Sequence, residues 1–341
     1  MRPSAWATTP MRDFAYLRPG SADEAVTMLA QHNPGARFFA GGTTLYDLMK
    51  LGVEAPATVV DITGIDELRK IDTDDHLELR FGALAAMSDV ADNAVLQRDF
   101  PALAESLWKA ASQQLRNMAT VGGNLLQRTR CGYFRGGKEF ACNKRLPSSG
   151  CAAQEGLNRG HAVLGGSDAC VAVYPGDWAV ALTAFDALVD ILGPRGTRTL
   201  PLCELHREPG TTPHIETVLE ADELIVRIRV PRTPVGRAST YHKIRDRESF
   251  AFALASAAVG LHLHTGRVMD ARIALGGVAT RPWRATAAER SLIGQPFTGA
   301  LARQAAELAF AGAKPLQHNA YKVALGIKTV TDALMIASER I

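Results

Sequence analysis

The alternation of apolar and polar positions divides the first 130 residues into short helices and strands. Residues 22–31 carry apolar side chains at helical spacing, and Ser21 stands before them as a predicted N-cap. Further strand-like and helical runs alternate at residues 36–40, 45–50, 57–62, 77–84 and 87–112, the last broken at Pro101. This part of the chain is therefore predicted to alternate between α and β structure.

A second group of elements begins after residue 176. The pattern predicts a helix at 177–187, a hairpin over 187–202 that turns at Gly193-Pro194-Arg195-Gly196, and a half-buried strand at 223–231. An alanine-rich region follows, with predicted strands near 240–245, 251–264 and 270–278 and predicted helices near 286–293, 299–313 and 315–338. The change of composition at 232–238 predicts a domain boundary there.

The segment between these two groups has no regular pattern and concentrates both cysteine and positive charge. Four of the five cysteines (Cys131, Cys142, Cys151 and Cys170) lie within 40 residues, whereas Cys203 stands apart. Residues 128–161 hold seven lysines and arginines against two glutamates, although the whole chain has a net charge of only +3. Loops of this length are uncommon in compact domains unless something fixes them.

Three kinds of link would fix such a loop, and the spacing of the cysteines leaves all three open. Disulfides need an oxidising compartment, and the chain begins without a recognisable signal peptide. Zinc sites normally use cysteines two to four residues apart, whereas the gaps here are ten, eight and eighteen residues. A four-thiolate iron–sulfur cluster tolerates wider spacing, and surrounding cations would offset its negative charge.

Two glycine pairs have the composition of a phosphate-binding turn. The first is the stretch Phe38, Phe39, Ala40, Gly41, Gly42, Thr43, Thr44 and Leu45, which runs from a predicted strand into a predicted helix. The second is the stretch from Asn117 through Thr120, Val121, Gly122 and Gly123 to Asn124. Glycines let the backbone approach an anion and aim its N–H groups at it. Together the two turns favour a bulky diphosphate such as a dinucleotide, although either alone is more often a tight connection.

Composition excludes several classes of protein. The 341 residues are 47% hydrophobic and 21% charged, which is typical of a well-cored globular protein rather than a disordered one. No apolar run is long enough to span a membrane. The small net charge gives no reason to expect nucleic-acid binding, and no G-x-G-x-x-G motif supports a Rossmann site.

Four stretches in order resemble the FAD-binding subunits of molybdenum hydroxylases, which include xanthine dehydrogenases, aldehyde oxidoreductases and carbon monoxide dehydrogenases. They are AGGTTLYDLMK, LRNMATVGGN, PGDWAVALTAFDA and YHKIRDRESFAFALASAA. The cysteine segment, with RTRCGYF, CNKRLPSSGCAA and SDAC, is similar to that of the bacterial periplasmic-type aldehyde oxidoreductase flavin subunit. The resemblance covers nearly the whole chain.

This resemblance implies an α+β fold in which two α/β subdomains of the vanillyl-alcohol-oxidase type clasp FAD, followed by a small α+β domain. The expected divisions are 1–60, 61–234 (with an iron–sulfur loop at about 128–172) and 235–341. The two glycine turns would hold the pyrophosphate and ribityl of FAD, while Asp177, Ile225 and Lys243 stand at further family contacts. Without the family, Asp177 and Lys243 would be taken as an ordinary surface ion pair.

The same resemblance implies that Cys131, Cys142, Cys151 and Cys170 ligate a 4Fe–4S cluster, leaving Cys203 as a buried thiol. The chain would be an electron-transfer subunit of a heterotrimer with no catalytic acid, base or nucleophile of its own. A large molybdenum–pterin subunit would oxidise an aldehyde, and a small 2Fe–2S subunit would pass electrons to FAD and on to an external acceptor. The complex would lie in the cytoplasm, or in the periplasm after export on a partner's signal.

Two rival functions stay open from the residues alone. One is a stand-alone flavoprotein oxidoreductase of the same fold whose loop holds a structural zinc. The other is a non-enzymatic binding module in which a zinc-fixed basic loop contacts an acidic partner.

Overall fold

The computed structural model describes residues 11–341, and its N-terminal part is a small parallel sheet with two helices. The elements are β1 (Ala15–Leu17), α1 (Ala22–His32), β2 (Ala36–Phe39), α2 (Leu45–Lys50) and β3 (Thr58–Asp61). Strand β3 lies between β1 and β2 and is parallel to both. Ser21 caps α1 as predicted, since its hydroxyl accepts a hydrogen bond from the N–H of Glu24.

The second sheet has five antiparallel strands that come from distant parts of the chain. They are β4 (Ile71–Asp72), β5 (Glu78–Gly82), β6 (Leu188–Gly193), β7 (Gly196–Pro201) and β8 (Leu224–Pro231), in the order β4–β5–β8–β6–β7. Gly193 pairs with Gly196 across the predicted hairpin turn, which confirms that turn. The insertion between β5 and β6 carries the second glycine pair and the cysteine segment.

Seven helices lie in that insertion, and an eighth follows the hairpin. They are α3 (Met87–Ala91), α4 (Ala94–Asp99), α5 (Pro101–Trp108), α6 (Gln113–Met118), α7 (Val121–Leu125), α8 (Gly132–Arg135), α9 (Trp178–Ala184) and α10 (Leu202–Leu205). The stretch predicted as one helix broken at Pro101 also breaks at Asn93, whose side chain caps α4. Helix α9 is wholly buried, and its Trp178 packs edge-on against Phe81 of β5.

The C-terminal part is an antiparallel sheet covered by three helices. It comprises β9 (Ser239–Ile244), β10 (Ala255–His264), β11 (Arg267–Gly276), β12 (Trp283–Arg284), α11 (Thr286–Leu292), α12 (Gly299–Ala309) and α13 (Tyr321–Ser338). The strand order is β12–β11–β10–β9. Alanines, valines and leucines of the sheet and the helices form one apolar core. Three sheets with helices packed on them confirm the predicted α+β class.

Two predicted helices are longer than the observed ones, because the residues between them bond to the cysteine segment. Helix α12 ends at Ala309 rather than 313, and α13 begins at Tyr321 rather than 315. In between, the N–H of Lys314 donates to the carbonyl of Val163 at 2.7 Å. The predicted strand at 251–264 also starts later, at Ala255.

Among the described residues, no helix is both long and apolar enough to cross a membrane. The expectation that the chain has no signal peptide rests partly on residues 1–10, which lie outside the described residues.

Candidate functional site

The first glycine turn joins β2 to α2 and exposes a row of backbone N–H groups. Gly42 has a φ of +72°, a left-handed conformation in which glycine has no steric cost. Within residues 11–341, the N–H groups of Gly41, Gly42, Thr43 and Thr44 donate to no protein acceptor. Four successive free donors provide the cradle that an anionic phosphate needs.

This turn lies directly against the second predicted stretch. A Cβ atom built on Gly41 would come within 1.8 Å of the carbonyl oxygen of Met118, so only glycine permits this approach. Met118 ends α6 and is followed by Ala119 and Thr120. The structure therefore brings together two segments that are about 80 residues apart in the sequence.

The second stretch offers side chains rather than backbone donors. The N–H groups of Val121 and Gly122 donate to carbonyls of the loop that follows β5. The N–H of Gly123 donates to the Thr120 hydroxyl. This differs from the prediction that both turns present free N–H groups, because the loop after β5 and the Thr120 cap already accept hydrogen bonds from them. Asn124, by contrast, has a buried side-chain oxygen with no partner in residues 11–341. A buried unpaired acceptor is uncommon, so this oxygen is available to a hydrogen-bond donor.

Asp177 and Lys243 do form an ion pair, but the pair is buried, so its interpretation as an ordinary surface ion pair is wrong. Lys243 Nζ donates to Asp177 Oδ2 at 2.8 Å and to the carbonyl of Lys109 at 2.8 Å. Tyr241 Oη donates to the other carboxylate oxygen of Asp177 at 2.6 Å and lies 2.9 Å from Ser256 Oγ. Burial and the charge of Asp177 raise the pKa of Tyr241, so it remains a donor.

Ile225 lies in β8 and is buried, within the same apolar core as Val121. The same core also contains Tyr241, and the strand that carries Ile225 contacts α7 of the second stretch. Tyr241 and Ser256 were not predicted as part of the site. The alternation of Tyr241 and Lys243 on one face of a predicted strand is a signal that would have found the tyrosine.

Four cysteines line one small cavity: Cys131, Cys142, Cys151 and Cys170. Cys142 and Cys151 face each other in an antiparallel bridge, and the N–H of Ala172 donates to Cys170 Sγ at 3.5 Å. Cys131 directly precedes α8, and its Sγ lies 3.2 Å from Nε2 of His161. His161 was not predicted either, although it is the only histidine in residues 128–172.

The thiols of this cavity are free and largely screened from water. None of the five cysteines forms a disulfide in the structure. Burial raises the pKa of Cys131 to about 11, and it also raises that of Cys170. Within residues 11–341, no three His, Cys, Asp or Glu side chains converge as ligands of a single metal ion.

Ion pairs connect the cysteine segment to helix α2, which follows the first glycine turn. Asp47 of α2 accepts hydrogen bonds from Arg130 and Arg135, which lie on either side of Cys131. Leu48 of the same helix packs with Phe134 and Cys142 in a small apolar cluster. Helix α2 therefore touches the cysteine segment on one face and follows the glycine turn at its N-terminus.

A second set of ion pairs holds the base of the segment. Arg128 is paired with Glu54 and Glu216, and Lys144 donates to Glu216 at 2.8 Å. The positive charge of the cysteine segment is therefore largely neutralised within the chain, which is evidence against a free basic loop that contacts an acidic partner.

Cys203 does not behave as predicted. The sequence predicted a buried thiol, but Cys203 is exposed on α10. Its neighbours Leu202 and Leu205 take the buried positions of this short helix, and the helical spacing turns Cys203 outward.

Comparisons with known proteins identify the family of the chain. A family described as the FAD binding domain in molybdopterin dehydrogenase matches residues 12–233, and the CO dehydrogenase flavoprotein C-terminal domain matches residues 239–336. The chain is 46% identical to the aldehyde oxidoreductase FAD-binding subunit PaoB of Escherichia coli over 325 residues, covering 95% of this chain and 98% of the relative.

A second relative is the carbon monoxide dehydrogenase medium chain of Hydrogenophaga pseudoflava, at 30% identity over 96% of this chain and 98% of the relative. A solved structure of carbon monoxide dehydrogenase from that organism superposes with a TM-score of 0.75 at 29% identity, covering 96% of this chain and 98% of the other. The FAD-binding match alone extends over more than half of the sequence. The chain therefore belongs to the family of FAD-binding oxidoreductase subunits of the molybdenum hydroxylases.

Proposed function

We propose that this chain is the FAD-binding electron-transfer subunit of a molybdenum-dependent aldehyde oxidoreductase. The observation that carries the proposal is the first glycine turn, whose four free N–H groups lie against Met118 just before the second stretch. The aldehyde class rests on the 46% identity with a subunit that is named for this activity. The proposed divisions of the chain remain 1–60, 61–234 and 235–341.

The residues present fit FAD. Free N–H groups at Gly41 to Thr44 suit the pyrophosphate, and the unpaired oxygen of Asn124 suits a hydroxyl donor of the ligand. The other proposed contacts are Phe38, Phe39, Ala40, Leu45, Asn117, Thr120, Val121, Gly122, Gly123, Asp177, Ile225 and Lys243. When bound, FAD exchanges electrons between one-electron and two-electron partners.

Lys243 would contact the flavin while it remains bonded to Asp177 and Lys109. Two of the three ammonium hydrogens are used by Asp177 and by the carbonyl of Lys109, which leaves one for a ligand. Because Asp177 neutralises most of its charge, Lys243 would orient a hydrogen bond rather than supply a free cation.

The residues present also fit a 4Fe–4S cluster at Cys131, Cys142, Cys151 and Cys170. The four thiols line one cavity from which water is largely excluded, and an N–H group already points at Cys170 Sγ. Such N–H contacts to sulfur are a feature of cluster sites and help to set the reduction potential. Arg130 and Arg135 are fixed beside Cys131 and would offset part of the negative charge.

The proposed partners are a small subunit with 2Fe–2S clusters and a large molybdenum–pterin subunit, in a heterotrimer that reduces an external acceptor. In this proposal the large subunit oxidises the aldehyde, as the resemblance to molybdenum hydroxylases implies. This chain binds FAD, holds the cluster and excludes water from both.

The experiment is an absorption spectrum of the purified complex before and after dithionite, with iron, zinc and flavin measured on the same sample. We expect ~1 FAD and ~4 iron in this chain, in addition to the iron of the small subunit. Serine at any one of the four cavity cysteines should remove those ~4 iron. Cys203→Ser is the matched control, since Cys203 is exposed outside the cavity.

Three results would contradict parts of the proposal. A yellow protein with zinc in place of the extra iron would keep FAD and exclude the cluster. Full aldehyde oxidation by this chain alone would favour the stand-alone flavoprotein. A complex prepared without air that holds no flavin and no iron beyond that of the small subunit would exclude both cofactors.

A further inference from the structure

His161 contacts one of the four cavity cysteines through a single ring nitrogen. Its Nε2 lies 3.2 Å from Cys131 Sγ, while its buried Nδ1 has no partner within residues 11–341. The side chain is mostly shielded from solvent, since the whole residue is only 7% exposed. None of the functional steps described above uses this imidazole.

The backbone of His161 is fixed on both sides. Its N–H donates to the carbonyl of Asn158, and its carbonyl accepts from Nδ2 of Asn319. Asn158 and Asn319 are themselves fully buried, and the side-chain oxygen of Asn158 accepts from the N–H of His318. The backbone that carries the ring is therefore fixed, in part by Asn319 in the segment that precedes α13.

A buried cation lies beside the backbone that carries this ring. Lys322 donates to the carbonyls of Gly160 and Gly277 at 3.1 Å and 2.7 Å. An iron-bound thiolate can only accept a hydrogen bond, so a proton on Nε2 is the arrangement that satisfies the contact.

We propose that His161 is a positioning residue of the cluster, whose Nε2–H donates a hydrogen bond to the Cys131 thiolate and thereby raises the reduction potential. This inference rests on the proposed function, because it requires the cluster. Reduction adds one electron, supplied by the 2Fe–2S subunit or by dithionite, and His161 transfers no proton. The hydrogen bond offsets the added negative charge on sulfur and so stabilises the reduced form more than the oxidised form.

The test is a redox titration of the intact complex, followed by the EPR signal of the reduced clusters. The 2Fe–2S clusters of the small subunit serve as an internal reference, because they lie in another chain. His161→Leu removes the donor, whereas His161→Gln keeps an N–H near the position of Nε2. His206→Leu is the matched control, since His206 is also buried but its Nε2 lies 2.8 Å from the carbonyl of Leu125 instead of a sulfur.

We expect a more negative potential for the cluster of this chain in His161→Leu, and recovery of most of the shift in His161→Gln. Loss of such a partner also weakens metal sites about 10- to 100-fold, so iron should pass to a chelator at least tenfold faster in His161→Leu. The His206→Leu and wild-type potentials should agree.

A direct readout needs no variant. Wild-type protein labelled with 15N-histidine should show a weak 15N coupling in the pulsed EPR spectrum of the reduced cluster. This measurement decides the question even where His161→Leu does not fold.

Several outcomes would overturn the inference. One is an unchanged reduction potential in a His161→Leu protein that retains all of its iron. The others are an equal shift of the potential in His206→Leu and the absence of a 15N coupling in the wild type. Loss of all iron from His161→Leu together with its retention in Cys131→Ser would make His161 a ligand instead. A wild-type complex without the extra iron would contradict the proposed function itself and is recognised before any variant is made.

Discussion

Lys243 Nζ lies 2.8 Å from Asp177 Oδ2, and both side chains are almost completely buried. The pair joins β9 of the C-terminal part to the start of α9, the helix at the centre of the largest core. Removing one member of a buried pair leaves a charge without a partner, which is costly. This ion pair therefore links the C-terminal part to α9. Both of its members are also candidate contacts of the flavin.

We predict that Lys243→Met and Asp177→Asn each lower the free energy of unfolding by about 3–5 kcal/mol. The double variant should lose clearly less than the sum of the two, because it removes both charges. Urea unfolding of the four proteins of this cycle measures the coupling. Additive losses would show that the two groups do not interact in the folded chain.

We predict that Gly41→Ala weakens FAD binding. Its Cβ would meet the Met118 carbonyl at 1.8 Å, so one of the two backbone segments must move. Strain of this kind costs about 1–3 kcal/mol, which corresponds to a loss of FAD affinity of roughly tenfold or more. Fluorescence titration of FAD measures the change.

Gly312→Ala is the control for this prediction. Gly312 has no atom within 4 Å of a built Cβ and lies near the end of α12. Equal affinities in Gly41→Ala and in the wild type would mean that the first turn does not hold the cofactor.

Local features were predicted well because neighbouring residues determine them. The Ser21 cap, the turn after Gly193 and the glycine turn after β2 all follow from side-chain or backbone geometry over a few residues. The sequence also indicated that the four clustered cysteines belong together, and they do line one cavity.

Contacts across long sequence separations were not predicted. Tyr241, Asp177 and Ser256 meet only because β9 pairs with β10, which packs against α9. The start of α13 was placed six residues too early, since Asn319 bonds to the carbonyls of His161 and Ala162 instead of continuing a helix. Helical periodicity cannot reveal such a competing tertiary contact.

We predict that Asp47→Asn loosens the cysteine segment. Asp47 accepts from Arg130 and Arg135 on either side of Cys131, and the substitution removes the negative charge that both arginines face. Because Asp47 is 42% exposed, the loss should be only about 1 kcal/mol. Iron should nevertheless be released to a chelator several-fold faster, and residues 136–150 should be cut sooner in limited proteolysis.

Asp186→Asn is the control for this change. Asp186 also pairs with two arginines, Arg272 and Arg284, but these belong to the C-terminal sheet. If both variants release iron at the same rate, the attachment of α2 to the cysteine segment has no part in retaining the cluster.

His206 should make the protein less stable in acid. It is buried, its Nε2 donates to the carbonyl of Leu125 at 2.8 Å, and burial lowers its pKa from 6.5 to about 4. Below pH 6.5 His206 is protonated in the unfolded chain but stays neutral in the folded chain. The free energy of unfolding therefore falls as the pH decreases towards 4. At 1.36 kcal/mol per pH unit, this histidine accounts for a loss of about 3 kcal/mol over that interval.

His206→Gln isolates this effect, because glutamine keeps a donor for Leu125 and does not titrate. Urea unfolding of the full chain at pH 7, 6, 5 and 4.5 should give a steep fall for the wild type and a flatter one for the variant. The difference between the two curves should grow below pH 6.5 and be nearly constant above it, since His206 is neutral there in both the folded and the unfolded chain. Parallel curves over the whole range would mean that His206 is protonated as easily in the fold as in water, and that its ring is not shielded in the way the structure describes.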